Sequence, residues 1–66
     1  MAKTVEDFIQ KGEELIEDEK YEEAVKAFDM AIKMDRENVE AWLGKAFALY
    51  EQEAYDKTLK CYNKVI

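Results

Sequence analysis

Apolar side chains recur along the chain in four stripes with one internal spacing. The first is Val5, Phe8, Ile9, Gly12, Leu15 and Ile16; the second is Tyr21, Ala24, Val25, Phe28, Ala31 and Ile32. The third is Val39, Trp42, Leu43, Ala46, Leu49 and Tyr50; the fourth is Tyr55, Thr58, Leu59, Tyr62, Val65 and Ile66. Each stripe runs down one side of a helix of about three turns, because positions three and four residues apart share a face. No alternating β-branched run and no Asn-Gly or Asp-Gly turn competes with that reading, so strands are not expected. Thr4 with Asp7 forms a capping box before the first helix, and Asn38 is positioned to cap the third. The loop Asp35-Arg36-Glu37-Asn38 is the clearest break. Asp18-Glu19-Lys20 and Gln52-Glu53-Ala54 are weak stops, lacking Gly and Pro.

The stripes begin at 5, 21, 39 and 55, so a pair of helices repeats every 34 residues. Sliding the chain by 34 superposes 32 positions, nine of them identical, among them Val5/Val39, Leu15/Leu49, Tyr21/Tyr55 and Ile32/Ile66. Usual residue frequencies would give about two. This period, with Phe8, Gly12, Leu15, Tyr21, Ala24, Phe28 and Ala31 in one copy, resembles the tetratricopeptide repeat (TPR) family. Trp42, Ala46, Leu49, Tyr55, Thr58, Tyr62 and Val65 are the counterparts in the other. The resemblance implies an all-α fold: four antiparallel helices as two helix-turn-helix repeats, a fragment of an α-solenoid. Residues 1–66 then make a single domain, repeat one spanning 5–38 and repeat two 39–66. Four features depart from the family pattern. Arg36 replaces its closing Pro, Glu19 and Glu53 replace its turn Gly, Thr58 and Val65 enlarge two small positions, and the second copy lacks its last six residues.

Size and charge narrow the functional classes. A 66-residue chain with one Cys and no His has no disulfide framework, no histidine triad and no zinc site of the usual kinds. Ordering such a chain costs roughly 1.5 kcal/mol per residue, which a small core barely offsets. Regular helix packing or a second copy of the chain is therefore expected. The net charge of −6 argues against general nucleic-acid affinity. No apolar run reaches the roughly 18 residues of a membrane span. The start carries no apolar signal core, so a cytoplasmic location is expected.

No catalytic constellation, cofactor motif or metal-ligand pattern is present in the sequence, so no enzyme activity is expected. Cys61 has no His to act as its base and reads as a small packing residue. In the family the first helix of each pair lines a concave groove that takes a peptide or protein segment. The positions that the resemblance places there include Ile9, Glu13, Ile16 and Glu17, then Leu43, Gly44, Phe47 and Tyr50. One subtype uses a Lys/Asn/Arg clamp for the acidic tails of heat-shock chaperones. Ile9, Glu13 and Gly44 stand at clamp positions and do not match, and the neighbouring acids would repel a carboxylate. A basic, apolar segment suits the groove better.

Residues 1–23 hold three Lys and nine acids, whereas residues 24–66 are balanced at seven of each. Within the balanced part, Lys57, Lys60 and Lys64 share one face of the last helix. Leu59, Tyr62, Val65 and Ile66 form an outer stripe with no further helix to cover it. A homodimer is the expected alternative to a separate ligand, either stacked through that stripe or formed by exchanging helices at the weak turns.

Overall fold

The computed structural model describes residues 4–65, the side chains of Tyr55, Tyr62 and Val65 excepted. Four helices start where the four stripes do: α1 (Val5–Glu17), α2 (Tyr21–Met34), α3 (Val39–Glu51) and α4 (Tyr55–Val65). Among the described residues there is no strand. The Asp7 backbone N–H donates to the Thr4 hydroxyl at 3.2 Å, and the Thr4 N–H donates to the Asp7 carboxylate at 3.0 Å. Asn38 Oδ1 accepts the Ala41 N–H at 3.0 Å. Both caps satisfy amides that a helix start leaves without carbonyl partners.

The two turns inside the hairpins are copies of one another. After α1, Lys20 N–H donates to the Leu15 carbonyl at 2.8 Å and Glu19 N–H to Ile16 at 2.9 Å. After α3, Ala54 donates to Leu49 at 2.8 Å and Glu53 to Tyr50 at 2.9 Å. This bonding pattern is the Schellman motif, whose pivot residue takes the left-handed conformation. Glu19 and Glu53 hold φ at 61° and 63°. A Cβ in that region costs about 1–2 kcal/mol. The turns without Gly are thus firmly hydrogen-bonded stops under local backbone strain, not the weak stops that composition suggested.

Packing follows the solenoid order. α1 pairs with α2 and α3 with α4; α3 docks on α2 and touches α1. Among the described residues Phe28 of α2 is the bulkiest side chain buried completely, at 1% exposure. Its ring lies between Gly12 of α1 and Gly44 of α3. A Cβ on Gly12 would fall 2.6 Å from the ring, and one on Gly44 would overlap it further. Ala24, Ala31, Ala41 and Ala48 are wholly buried around this contact. A second, smaller cluster of Ala46, Leu49 and Cys61 joins α3 to α4. Thr58 is buried there, and its hydroxyl donates to the Ala54 carbonyl at 3.1 Å.

Trp42 is only partly enclosed. It is half-buried against the second cluster, and its Nε1–H donates to the Arg36 carbonyl at 2.8 Å. The Asp35–Asn38 loop is held to α3 by that bond, at the place where the family pattern has its closing Pro.

Gly44→Ala gains about 1 kcal/mol of helix propensity but drives a methyl into the Phe28 ring, an overpacking that costs about 1–3 kcal/mol. The net expectation is a lower unfolding midpoint in urea. Phe28→Leu should be less damaging in the Gly44→Ala background than in the parent, since the two changes share one volume. A more stable Gly44→Ala variant would contradict the tight contact.

Glu53→Gly removes the left-handed penalty and adds about 0.5–1 kcal/mol of backbone entropy loss, leaving a modest gain. Its melting temperature should rise by a few degrees, read by circular dichroism. Glu53→Ala, which keeps the Cβ, should show no such rise.

Candidate functional site

The surface left over after packing has two different faces. The first is on α3, where Leu43, Phe47 and Tyr50 are 42%, 46% and 54% exposed. Val39, also half exposed, continues the same line at a spacing of four. The sequence pattern placed Val39 in one stripe with the buried Ala46 and Leu49, and the packing leaves it half exposed. The exposed acids Glu6, Glu13 and Glu17 stand on the neighbouring α1, and Glu40 and Glu51 stand on α3 itself.

The sequence-derived groove residues do not all reach this face. Ile9 is 6% exposed and belongs to the main core cluster, so it presents nothing to a ligand. The cause is inter-repeat packing: α3 covers the first hairpin, while no described helix lies over Leu43, the residue 34 positions on. Ile16 is half-buried against the same cluster. Gly44 is taken up by its contact with Phe28 rather than by the surface. Glu13, Glu17, Leu43, Phe47 and Tyr50 are exposed. Of the proposed self-association residues, Leu59 is 62% exposed. Tyr62 and Val65, as side chains, and Ile66 lie outside the described residues.

A cleft between α2 and α4 forms the second face, with a volume of about 410 Å³. Val25, Trp42, Leu49 and Cys61 line its base, and Lys45, Lys57, Lys60, Lys64 and Asp29 line its edges. Asp29 and Lys45 are paired at 2.7 Å, and the Lys45 ammonium sits 5.6 Å from the Trp42 ring centroid. That geometry gives a cation–π contact worth about 0.5–1 kcal/mol at a partly exposed site. Burial pushes the Cys61 thiol above its ordinary value; nearby Lys45 works against the shift and Asp29 adds to it. A protonated, buried thiol is a poor nucleophile, in keeping with a packing role. The Lys57/Lys60/Lys64 spacing was visible in the sequence. The contribution of Val25, Trp42 and Asp29 to the same cleft required the tertiary contacts.

A further hollow of about 510 Å³ at the α1–α2 turn is lined by charged residues of both signs with Tyr21 and Gln52. Desolvation, then Glu51 and Glu19, raise the Tyr21 phenol above its usual value. Among the described residues no group of three or more His, Cys, Asp or Glu is arranged to hold a metal ion. No helix there is long and apolar enough to cross a membrane.

A family sequence model described as TPR repeat matches residues 12–53, more than half of the chain. That span runs from the middle of α1 to the turn after α3. No curated protein and no solved structure matches the chain significantly.

Proposed function

The chain belongs to the tetratricopeptide repeat family, whose members are generally non-catalytic modules for protein–protein interaction, and from that premise we propose that it binds a basic, apolar peptide segment on its α3 face. One observation carries this reading: Leu43, Phe47 and Tyr50 are large, apolar and exposed along a single helical line. A line of this kind accepts apolar side chains at matching intervals. The acids of α1 and α3 around it favour Lys or Arg flanks and disfavour acidic ones. Within repeat one the matching positions carry the half-buried Val5 and Ile16, the buried Ile9 and the exposed acids Glu6, Glu13 and Glu17, so most of the affinity falls on α3. The setting that suits this module is the cytoplasm, where Cys61 stays a thiol.

Titration of a hydrophobic peptide with lysine flanks, beside a twin with glutamate flanks, tests the proposal. The lysine peptide should bind more tightly, and its affinity should fall as salt screens the acidic rim. Phe47→Ala should weaken it by about tenfold, since loss of a well-seated aromatic contributes more than 1 kcal/mol. Equal or tighter binding of the glutamate twin would remove this function.

A second reading is self-association, favoured by the exposure of Leu59 on the outer face of α4. Leaving such a side chain in water forfeits about 1.5–3 kcal/mol. The front of α1 disfavours head-to-tail stacking. Ala41 and Ala48, both wholly buried where α3 meets the first hairpin, correspond to Asp7 and Glu14 one repeat earlier. An α1 bearing two acids there cannot dock on a second copy as α3 docks on α2 without burying charge. A two-fold contact through α4 remains. Sedimentation equilibrium should show a concentration-dependent dimer that Leu59→Lys converts to monomer. A dimer unaffected by Leu59→Lys would point instead to helix exchange, and a strictly monomeric parent would end this reading.

A further inference from the structure

The lysines of α4 play no part in the α3 face. Four of the ten basic residues of a chain with net charge −6 converge on the cleft between α2 and α4. Among the described residues one acid, Asp29, reaches it, and Lys45 already neutralises that group at 2.7 Å. Among the described residues Lys57, Lys60 and Lys64 have no ion pair and are exposed. The rest of the lining is apolar, from Val25, Trp42, Leu49 and Cys61. The cleft exists because α4 packs on α3, while no Cα of α4 comes within 8 Å of α2 among the described residues.

We infer that the α2–α4 cleft is a second binding site, for an acidic peptide segment anchored by one apolar side chain. The volume of about 410 Å³ falls in the range of small-ligand pockets, enough for one large side chain with its backbone. From Lys57 to Lys64 the helix rises about 10 Å, about three residue steps of extended chain, and the long lysine stems extend that reach to the roughly 13 Å of four steps. Side chains two residues apart on an extended peptide project to the same side. The pattern that fits is therefore acid, any, apolar, any, acid: the central side chain enters over Trp42, and its flanking carboxylates meet the lysines. Lys ammonium groups on flexible stems tolerate variation in where each carboxylate falls. A nucleic acid suits the site less, because the chain's overall negative charge opposes a phosphate backbone while the apolar base goes unused. The charge preference is the reverse of that on the α3 face, so the two sites are separable by peptide chemistry.

Trp42 is the one tryptophan of the chain and lies in the base of this cleft, so its fluorescence reports occupancy directly. The probe is acetyl-Glu-Ser-Leu-Ser-Glu-amide, with acetyl-Lys-Ser-Leu-Ser-Lys-amide as its twin, titrated at about 20 mM and about 300 mM salt. The acidic peptide should produce a saturable change in Trp42 emission, weakened several-fold at the higher salt. The triple variant Lys57→Glu, Lys60→Glu, Lys64→Glu should lose that response and gain affinity for the lysine twin. Lys57→Gln with Lys64→Gln, which reverses no charge, should weaken the acidic peptide in the same direction by a smaller factor. Phe47→Ala should leave it unchanged. Absence of a saturable response to the acidic peptide would overturn the inference, as would undiminished binding to both lysine variants. Loss of binding in Phe47→Ala would place the acidic peptide on the α3 face and equally overturn it. Displacement of the peptide by a short oligothymidine at lower concentration would show that the cleft reads phosphates instead.

Discussion

The ring of Phe28 seated between Gly12 and Gly44 is the contact on which the rest of the structure depends. It brings three helices to one point: α2 supplies the ring, α1 and α3 supply a backbone with no side chain in the way. The chain has two glycines, and neither serves a turn. Both sit in helix interiors, where glycine is unfavourable by about 1 kcal/mol relative to alanine. The two hairpin turns, which would accept glycine readily, carry Glu19 and Glu53 in the left-handed region instead. Glycine is thus placed where closeness between helices demands it, and the strain of the turns is borne by their hydrogen bonds. The buried alanines 24, 31, 41 and 48 extend the same principle, since small residues let α3 approach the first hairpin closely.

That close approach also sorts the surface. Once α3 is drawn onto α1 and α2, Ile9 is covered while Leu43 remains open, although the two occupy equivalent positions. Among the described residues the same placement gives α4 its close backbone contacts on α3 and none on α2, and the gap toward α2 is lined by α3's Trp42 and Leu49. A face with an apolar line and acids around it, and a cleft with an apolar base and lysines around it, follow from one packing arrangement. Surface charges of this kind contribute little to stability, because solvent screens them. In the two sites proposed above their effect is on which partners approach, with opposite charge preferences at the two faces.

Local interactions made much of the molecule legible in the sequence. The 34-residue period, the four helix starts, the Thr4–Asp7 box and the Asn38 cap are all set by residues within a few positions of one another. Helical periodicity and capping need no knowledge of the fold. The family itself was readable for the same reason, because its pattern is a spacing of small and large side chains within each hairpin. Tertiary structure decided what that spacing cannot express: which member of a repeated pair is covered. Val39, Leu43 and Tyr50 share their stripe with core residues in the neighbouring copy, yet they face solvent because burial depends on the next element in space. Trp42 stands only half inside, held by a loop carbonyl that lies six residues earlier. Gly44 carries no sign in the sequence that a ring from another helix presses against it. The lysine-rimmed cleft draws on three helices at once, and one-dimensional spacing records only the helix on which three of its lysines lie.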